Sequence, residues 1–92
     1  MSDWYLYLVR CGDGSLYTGV TTDVDRRFKA HQEAQGAKYL KGRGPLALVY
    51  REKIGDKRLA FRAEHAVKRW PRDRKERLIR AGSGCLERIG EP

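Results

Sequence analysis

The stretch WYLYLVRCGDGSLYTGV, residues 4–20, limits the possible folds more than any other part of the chain. Residues 4–11 alternate, with Trp4, Leu6 and Leu8 on one side and Tyr5, Tyr7 and Val9 on the other. Residues 15–21 alternate again after Gly-Asp-Gly, so the pair reads as a β-hairpin. A two-residue Asp13–Gly14 turn would pair Gly12 with Ser15 and send Tyr7 and Tyr17 to opposite faces. A three-residue loop pairs Cys11 with Ser15 and leaves Gly14 for the left-handed position of a bulge. Only the second register gathers Leu6, Leu8, Leu16 and Val20 on one face. Because a one-residue slip exchanges the faces, this apolar consistency selects the odd loop. Tyr5, Tyr7, Val9, Tyr17 and Gly19 then share the other face, with Gly19 across from Tyr7. Paired tyrosines also occur simply as packing residues on half-buried sheets.

The remaining chain is punctuated clearly. TTDVDRRFKAHQEA reads as a helix with Thr22 or Asp23 as its N-cap. QGAKYLKGRGP is a basic, glycine-marked loop, and LALVYREKI (46–54) is a third strand. Gly55 and Asp56 turn the chain into a second helix, KRLAFRAEHAVKRW, which directs Leu59, Ala63, Ala66, Val67 and Trp70 to the core. Pro71 interrupts it and suits the first turn of a third helix that stops before Gly82. The expected fold is α+β, a small three-stranded antiparallel sheet flanked by helices in the order β-β-α-β-α-α. Residues 1–82 form the expected domain, and the tail, 83–92, is expected to fray.

Ninety-two residues make one small domain, which buries roughly 60% of its unfolded surface and leaves little room for an internal ligand cavity. An active site is therefore expected as an open groove. The net charge is +8, and residues 51–80 hold twelve Lys/Arg against five Asp/Glu. So concentrated a basic field favours polyanions, although it also suits a merely solvated surface. No apolar run is long enough for a signal peptide or a membrane span, so the expected location is cytoplasmic. Cys11 and Cys85 lack metal-ligand spacing and read as reduced, structural thiols.

Three further side chains carry chemistry. Arg27 and His31, one helical turn apart, fall on one margin of the apolar stripe formed by Val24, Phe28 and Gln35. A guanidinium fork and an imidazole there suit a phosphate, and equally a snorkelling Arg beside a half-buried His. Glu64 flanks the core face of the second helix. It either balances Lys68 one turn on or, turned along the sheet, holds a hard divalent ion.

The ordered series Tyr5-Leu6-Tyr7, Tyr17-Thr18-Gly19, Arg27, His31 and Glu64 resembles the GIY-YIG nuclease domain, and within it the small stand-alone bacterial URI-type subgroup. LYTGVTTDVDRRFKAHQ, GAKYLKGRGPLALVY and RAEHAVKRW extend the likeness over residues 4–82. The resemblance implies hydrolysis of nucleic-acid phosphodiesters, DNA ahead of RNA, with Mg²⁺ or Mn²⁺. It implies Tyr7, Tyr17, Arg27 and His31 as catalytic residues and Glu64 as the metal ligand. A phenol is a weak base, so Tyr17 drawing a proton from water needs a metal ion and Arg27 nearby. The chain departs from some relatives by placing Val20 where they carry a lysine, and by containing no asparagine. A non-catalytic basic nucleic-acid-binding module with this fold is the alternative. In either case Lys38, Lys41, Arg43, Arg72 and Arg74 are expected to contact phosphates.

Overall fold

The computed structural model describes residues 2–33, 40 and 42–89. Its strands are β1 (Trp4–Arg10), β2 (Leu16–Thr21) and β3 (Ala47–Gly55), and its helices are α1 (Val24–Gln32), α2 (Lys57–Lys68), α3 (Arg72–Ala81) and α4 (Cys85–Arg88). The sheet is antiparallel with β1 in the centre, in the order β2-β1-β3. The expected architecture is present, with α4 added at its end.

The hairpin takes the three-residue loop. Tyr7 pairs with Gly19 and Arg10 with Leu16, and the Cys11 amide donates to the Ser15 carbonyl at 2.8 Å. Gly14 has φ +88°, a conformation that a side chain would strain. Asp13 closes the loop by accepting from the Ser15 amide and hydroxyl.

This register gives the sheet two unlike faces. Leu6 and Leu8 pack with Tyr50, Ala63, Val67, Leu78 and Cys85, a core shared by α2, α3 and α4. Tyr7 and Val9 pack with Val24 and, less deeply, Phe28 under α1. A bulge in β3 falls where β1 passes from Leu8 to Val9, so Leu8 faces Tyr50 while Val9 faces Leu48. Asp23 caps α1 by accepting from the Arg26 amide at 3.1 Å, and Asp56 caps α2 through the Leu59 amide at 3.0 Å. Each such cap is worth about 1 kcal/mol. α1 stops at Gln32, with Glu33 as its C-cap, two residues short of the expected end.

Two expectations fail. The buried stripe of α2 is Ala60, Ala63 and Val67, whereas Leu59 is exposed. Small residues let the helix approach the sheet closely, and Leu59 is left beside Ala66, Leu86 and Ile89 on the outer side. The segment after Ser83 does not fray as far as Arg88. Glu52, on β3, accepts from the amides of Gly84 at 3.0 Å and Cys85 at 3.0 Å and also from the Tyr50 hydroxyl. With Cys85 buried in the core, these bonds dock α4. Burial raises the Glu52 carboxyl pKa, but the donors outweigh it and hold the group below the ordinary carboxylate range. Burial and the facing Glu52 push the Cys85 thiol up to about 12, so it is inert.

Candidate active site

On the α1 face, the first two strands and the first helix bring four of the expected residues together. The Tyr7 and Tyr17 rings lie 6.3 Å apart, and the His31 ring lies 5.9 Å from Tyr7 and 5.5 Å from Tyr17. The Tyr7 hydroxyl and His31 Nε2 are 2.8 Å apart. Gly19 makes this possible. A Cβ there would stand 2.6 Å from the Tyr7 hydroxyl and 2.7 Å from its ring carbon Cζ, so the phenol lies directly over the glycine.

Burial separates the two phenols chemically. Tyr7 is 1% exposed and His31 3% exposed, whereas Tyr17 is half-buried. Burial, then the neighbouring Tyr17, push the Tyr7 hydroxyl above the ordinary phenol range, and hydrogen bonding from Arg27 opposes them only in part. Tyr7 therefore stays protonated. Burial and then the Arg27 charge press His31 below the ordinary imidazole range, so it is neutral at pH 7. In the Nδ1-protonated form its Nε2 accepts the Tyr7 proton, leaving the Tyr7 oxygen to accept from Arg27. His31 lies deeper than the helix margin expected from its spacing, because Tyr7 and Tyr17 enclose it.

Glu64 lies on α2, the helix that covers the other face of the sheet. Its side chain is 18% exposed, and Oε2 is 3.6 Å from Lys68 Nζ. Oε1 has no hydrogen-bond partner among the described residues. A shallow groove along the outer edge of β2 connects the two faces. Leu16, Tyr17, Thr18, Lys68 and Lys75 line its volume of about 390 Å³. Arg27 and His31 open onto two other depressions, one beside Thr21–Asp23 and one beside Leu40 and Gly42–Leu46. None of these three depressions collects all five expected residues, and among the described residues no group of three or more His, Cys, Asp or Glu side chains is placed to hold a metal ion.

The expected phosphate contacts separate as well. Arg72 is exposed at the start of α3, with its guanidinium close to Gly14 in the hairpin loop. Arg43 pairs with Asp13 at 2.9 Å beside the same loop. Arg74 stacks on Trp70 at 4.1 Å and donates to the Arg88 carbonyl, so its guanidinium is already engaged in holding α4. Lys38 and Lys41 lie outside the described residues. Sequence reasoning passed over Lys75, whose available signal was its position three and four residues before Leu78 and Ile79 on the inward stripe of α3.

The GIY-YIG catalytic domain pattern matches residues 3–77. UPF0213 protein YhbQ of Escherichia coli strain K12 is 51% identical over 87 residues, covering 95% of this chain and 87% of that protein. The protein of the same name from Escherichia fergusonii is 51% identical over 89 residues, covering 97% and 89%. Among solved structures, UPF0213 protein BH0048 from Bacillus halodurans is 45% identical with a TM-score of 0.58, over 97% of this chain and 95% of that one. EF2693 from E. faecalis is 36% identical with a TM-score of 0.62, over 88% and 86%. The chain belongs to the GIY-YIG catalytic-domain family, whose domains act on nucleic acid.

Proposed function

We propose that this chain is a divalent-metal-dependent endonuclease that hydrolyses phosphodiester bonds, DNA ahead of RNA. One observation carries the reading: Tyr7, Tyr17, His31 and Arg27 converge on one face of the hairpin although α1 lies outside it in sequence. In the reaction, a water oxygen forms a bond to phosphorus as the ester P–O bond breaks; the water loses a proton, and the departing ester oxygen takes one up from solvent to leave as an alcohol. Tyr17, half-buried at the groove, takes that proton when it is a phenolate, the form that a bound cation and Arg27 would favour. Tyr7 stays protonated and orients the phosphate or the water by hydrogen bonding. Arg27, exposed beside it, offers its fork of donors to the phosphoryl oxygens as charge builds there. His31 holds the Tyr7 hydroxyl in place.

Glu64 fits a hard divalent ion, because Mg²⁺ commonly takes only one or two protein carboxylates and fills its other positions with water and phosphate. Glu64 would hold Mg²⁺ or Mn²⁺ through Oε1, which has no partner among the described residues, and such an ion would supply positive charge to the phosphoryl oxygens.

The test incubates purified protein with single-stranded, duplex, nicked and branched DNA, and with RNA, in Mg²⁺, Mn²⁺ or EDTA. Cleavage confined to the metal-containing reactions and lost in Glu64→Gln and Tyr17→Phe is expected. Undiminished cleavage by Glu64→Gln overturns the assignment. The pairing of Glu64 with Lys68, with no group of three or more potential metal ligands among the described residues, favours the alternative of a non-catalytic binding module. That alternative predicts salt-sensitive binding with no turnover in either metal.

A further inference from the structure

We propose that the groove along the outer edge of β2 seats one backbone phosphodiester group of the nucleic acid, with Lys75 as its principal ligand and the Tyr17 phenol beside it. This proposal rests on the nuclease reading only for the meaning of Tyr17; the phosphate seat itself stands on the geometry of the groove.

Three observations support it. First, Lys75 is half-buried on α3 and has no hydrogen-bond or ion-pair partner among the described residues. The other two part-buried charges on α3 are engaged. Glu76 accepts two bonds from Arg10, at 2.7 and 2.8 Å, and Arg74 lies on Trp70. Burial holds the Lys75 ammonium below the ordinary lysine range, and a bound anion removes that penalty. Second, Thr18 stands among the residues that line the groove. Thr18 is 2% exposed, and its hydroxyl is the buried side-chain atom without a hydrogen-bond partner among the described residues. Third, β2 is an edge strand, so its outward backbone groups have no strand partner and remain available to a ligand.

The second lysine of the groove, Lys68, is neutralised by Glu64. Among the described residues the groove thus holds one uncompensated cation, the charge complement of a single phosphodiester. A duplex lying here also meets Arg72 at the hairpin loop, next to the same end of β2. Lysines at a sheet edge also serve to block edge-to-edge association, and this simpler role makes different predictions.

The test measures anisotropy of a labelled DNA oligonucleotide in EDTA across a KCl series, for wild type, Lys75→Met, Lys75→Arg and Lys53→Met. Methionine keeps the aliphatic stem of Lys75 and removes its charge. Lys53→Met removes an exposed cation on β3, at the opposite edge of the sheet. Lys75→Met is expected to bind about tenfold more weakly, as for loss of one charge-assisted hydrogen bond. Its salt slope is expected to fall by about 1. Lys75→Arg restores most of the affinity, and Lys53→Met binds nearly as wild type does.

Unchanged affinity and slope in Lys75→Met overturns the proposal, as does an equal loss in Lys53→Met, which marks a diffuse field. Self-association of Lys75→Met by light scattering, with affinity intact, assigns the residue to edge protection and also overturns it. Because binding is read without metal, failure of wild type to cleave any substrate refutes the nuclease reading and leaves this result standing.

Discussion

The two faces of the sheet are built from the same two strands, yet they differ in almost every physical respect. Leu6 and Leu8 enter a buried, mainly apolar core under three helices. Their immediate neighbours Tyr5, Tyr7 and Val9 enter a thinner layer under one short helix, where hydroxyl, imidazole and guanidinium groups meet. Alternation along a strand therefore assigns one face mainly to stability and the other to chemistry, and a single-residue slip would abolish both. Substitutions on the two faces should consequently fail in different assays.

The largest effect expected on stability is at Leu8. Leu8→Ala leaves a cavity in the fully buried core and should cost about 2–5 kcal/mol in denaturant unfolding. Tyr17→Phe, on the other face, should unfold within about 0.5 kcal/mol of wild type while losing metal-dependent cleavage by about 10²-fold or more. Equal unfolding losses for the two variants would erase the division between the faces. Gly19→Ala should fall between these cases. Its methyl group would overlap the Tyr7 ring, so a destabilisation of about 1–3 kcal/mol should accompany loss of the Tyr7–His31 bond. Near-wild-type activity in Gly19→Ala would show that the ring can move aside without consequence.

Most of this division was legible in the residues themselves. The hairpin register followed from asking which loop keeps Leu6, Leu8, Leu16 and Val20 together, and the observed pairing of Tyr7 with Gly19 is the one that question selects. The four-residue spacing of Arg27 and His31 put them on one margin of α1, and the family resemblance put them with the tyrosines. Three features were not legible because each depends on contacts between distant segments. The depth of His31 is set by two rings, one from β1 and one from β2. The docking of α4 depends on Glu52, more than thirty residues earlier, accepting from the Gly84 and Cys85 amides. The Lys75 groove exists because the break at Pro71 turns α3 back toward the edge of β2. Helical periodicity also placed Leu59 in the core, where the smaller Ala60 is found, since periodicity fixes a stripe only to within a neighbouring position.

A moderate effect distinguishes the Glu52 anchor from the rest of the aliphatic face. Glu52→Gln keeps the shape but exchanges a charged acceptor for a neutral one, leaving the three donors weaker bonds. A loss of about 1–3 kcal/mol is expected, with faster amide exchange in residues 84–88 than in α2. Uniform protection across both helices would mean that α4 is held by Cys85 packing alone.

The smallest effect is in the pH dependence of stability, and it separates the faces by where it begins. His31 has a folded pKa below its unfolded value of 6.5. Its contribution is therefore complete above pH 6.5 and is lost as pH falls through the folded value, because the unfolded chain binds the proton first. Glu76 behaves likewise from a lower starting point. Arg10 draws its carboxyl from 4.5 down to about 2, so that contribution is intact above pH 4.5 and disappears toward pH 2. Both Glu76 and Arg10 are partly exposed, so the ion pair itself is worth only about 1 kcal/mol or less. Urea unfolding at pH 7.5, 5.5 and 3 should show a first decline between pH 7.5 and 5.5 that His31→Gln removes. Arg10→Met should leave that decline intact and lessen the one between pH 5.5 and 3, to which Glu52 also contributes. If His31→Gln retains the wild-type decline, the imidazole is not the group that titrates under α1. The neutral, hydrogen-bond-accepting state assigned to it beside Tyr7 would then be wrong.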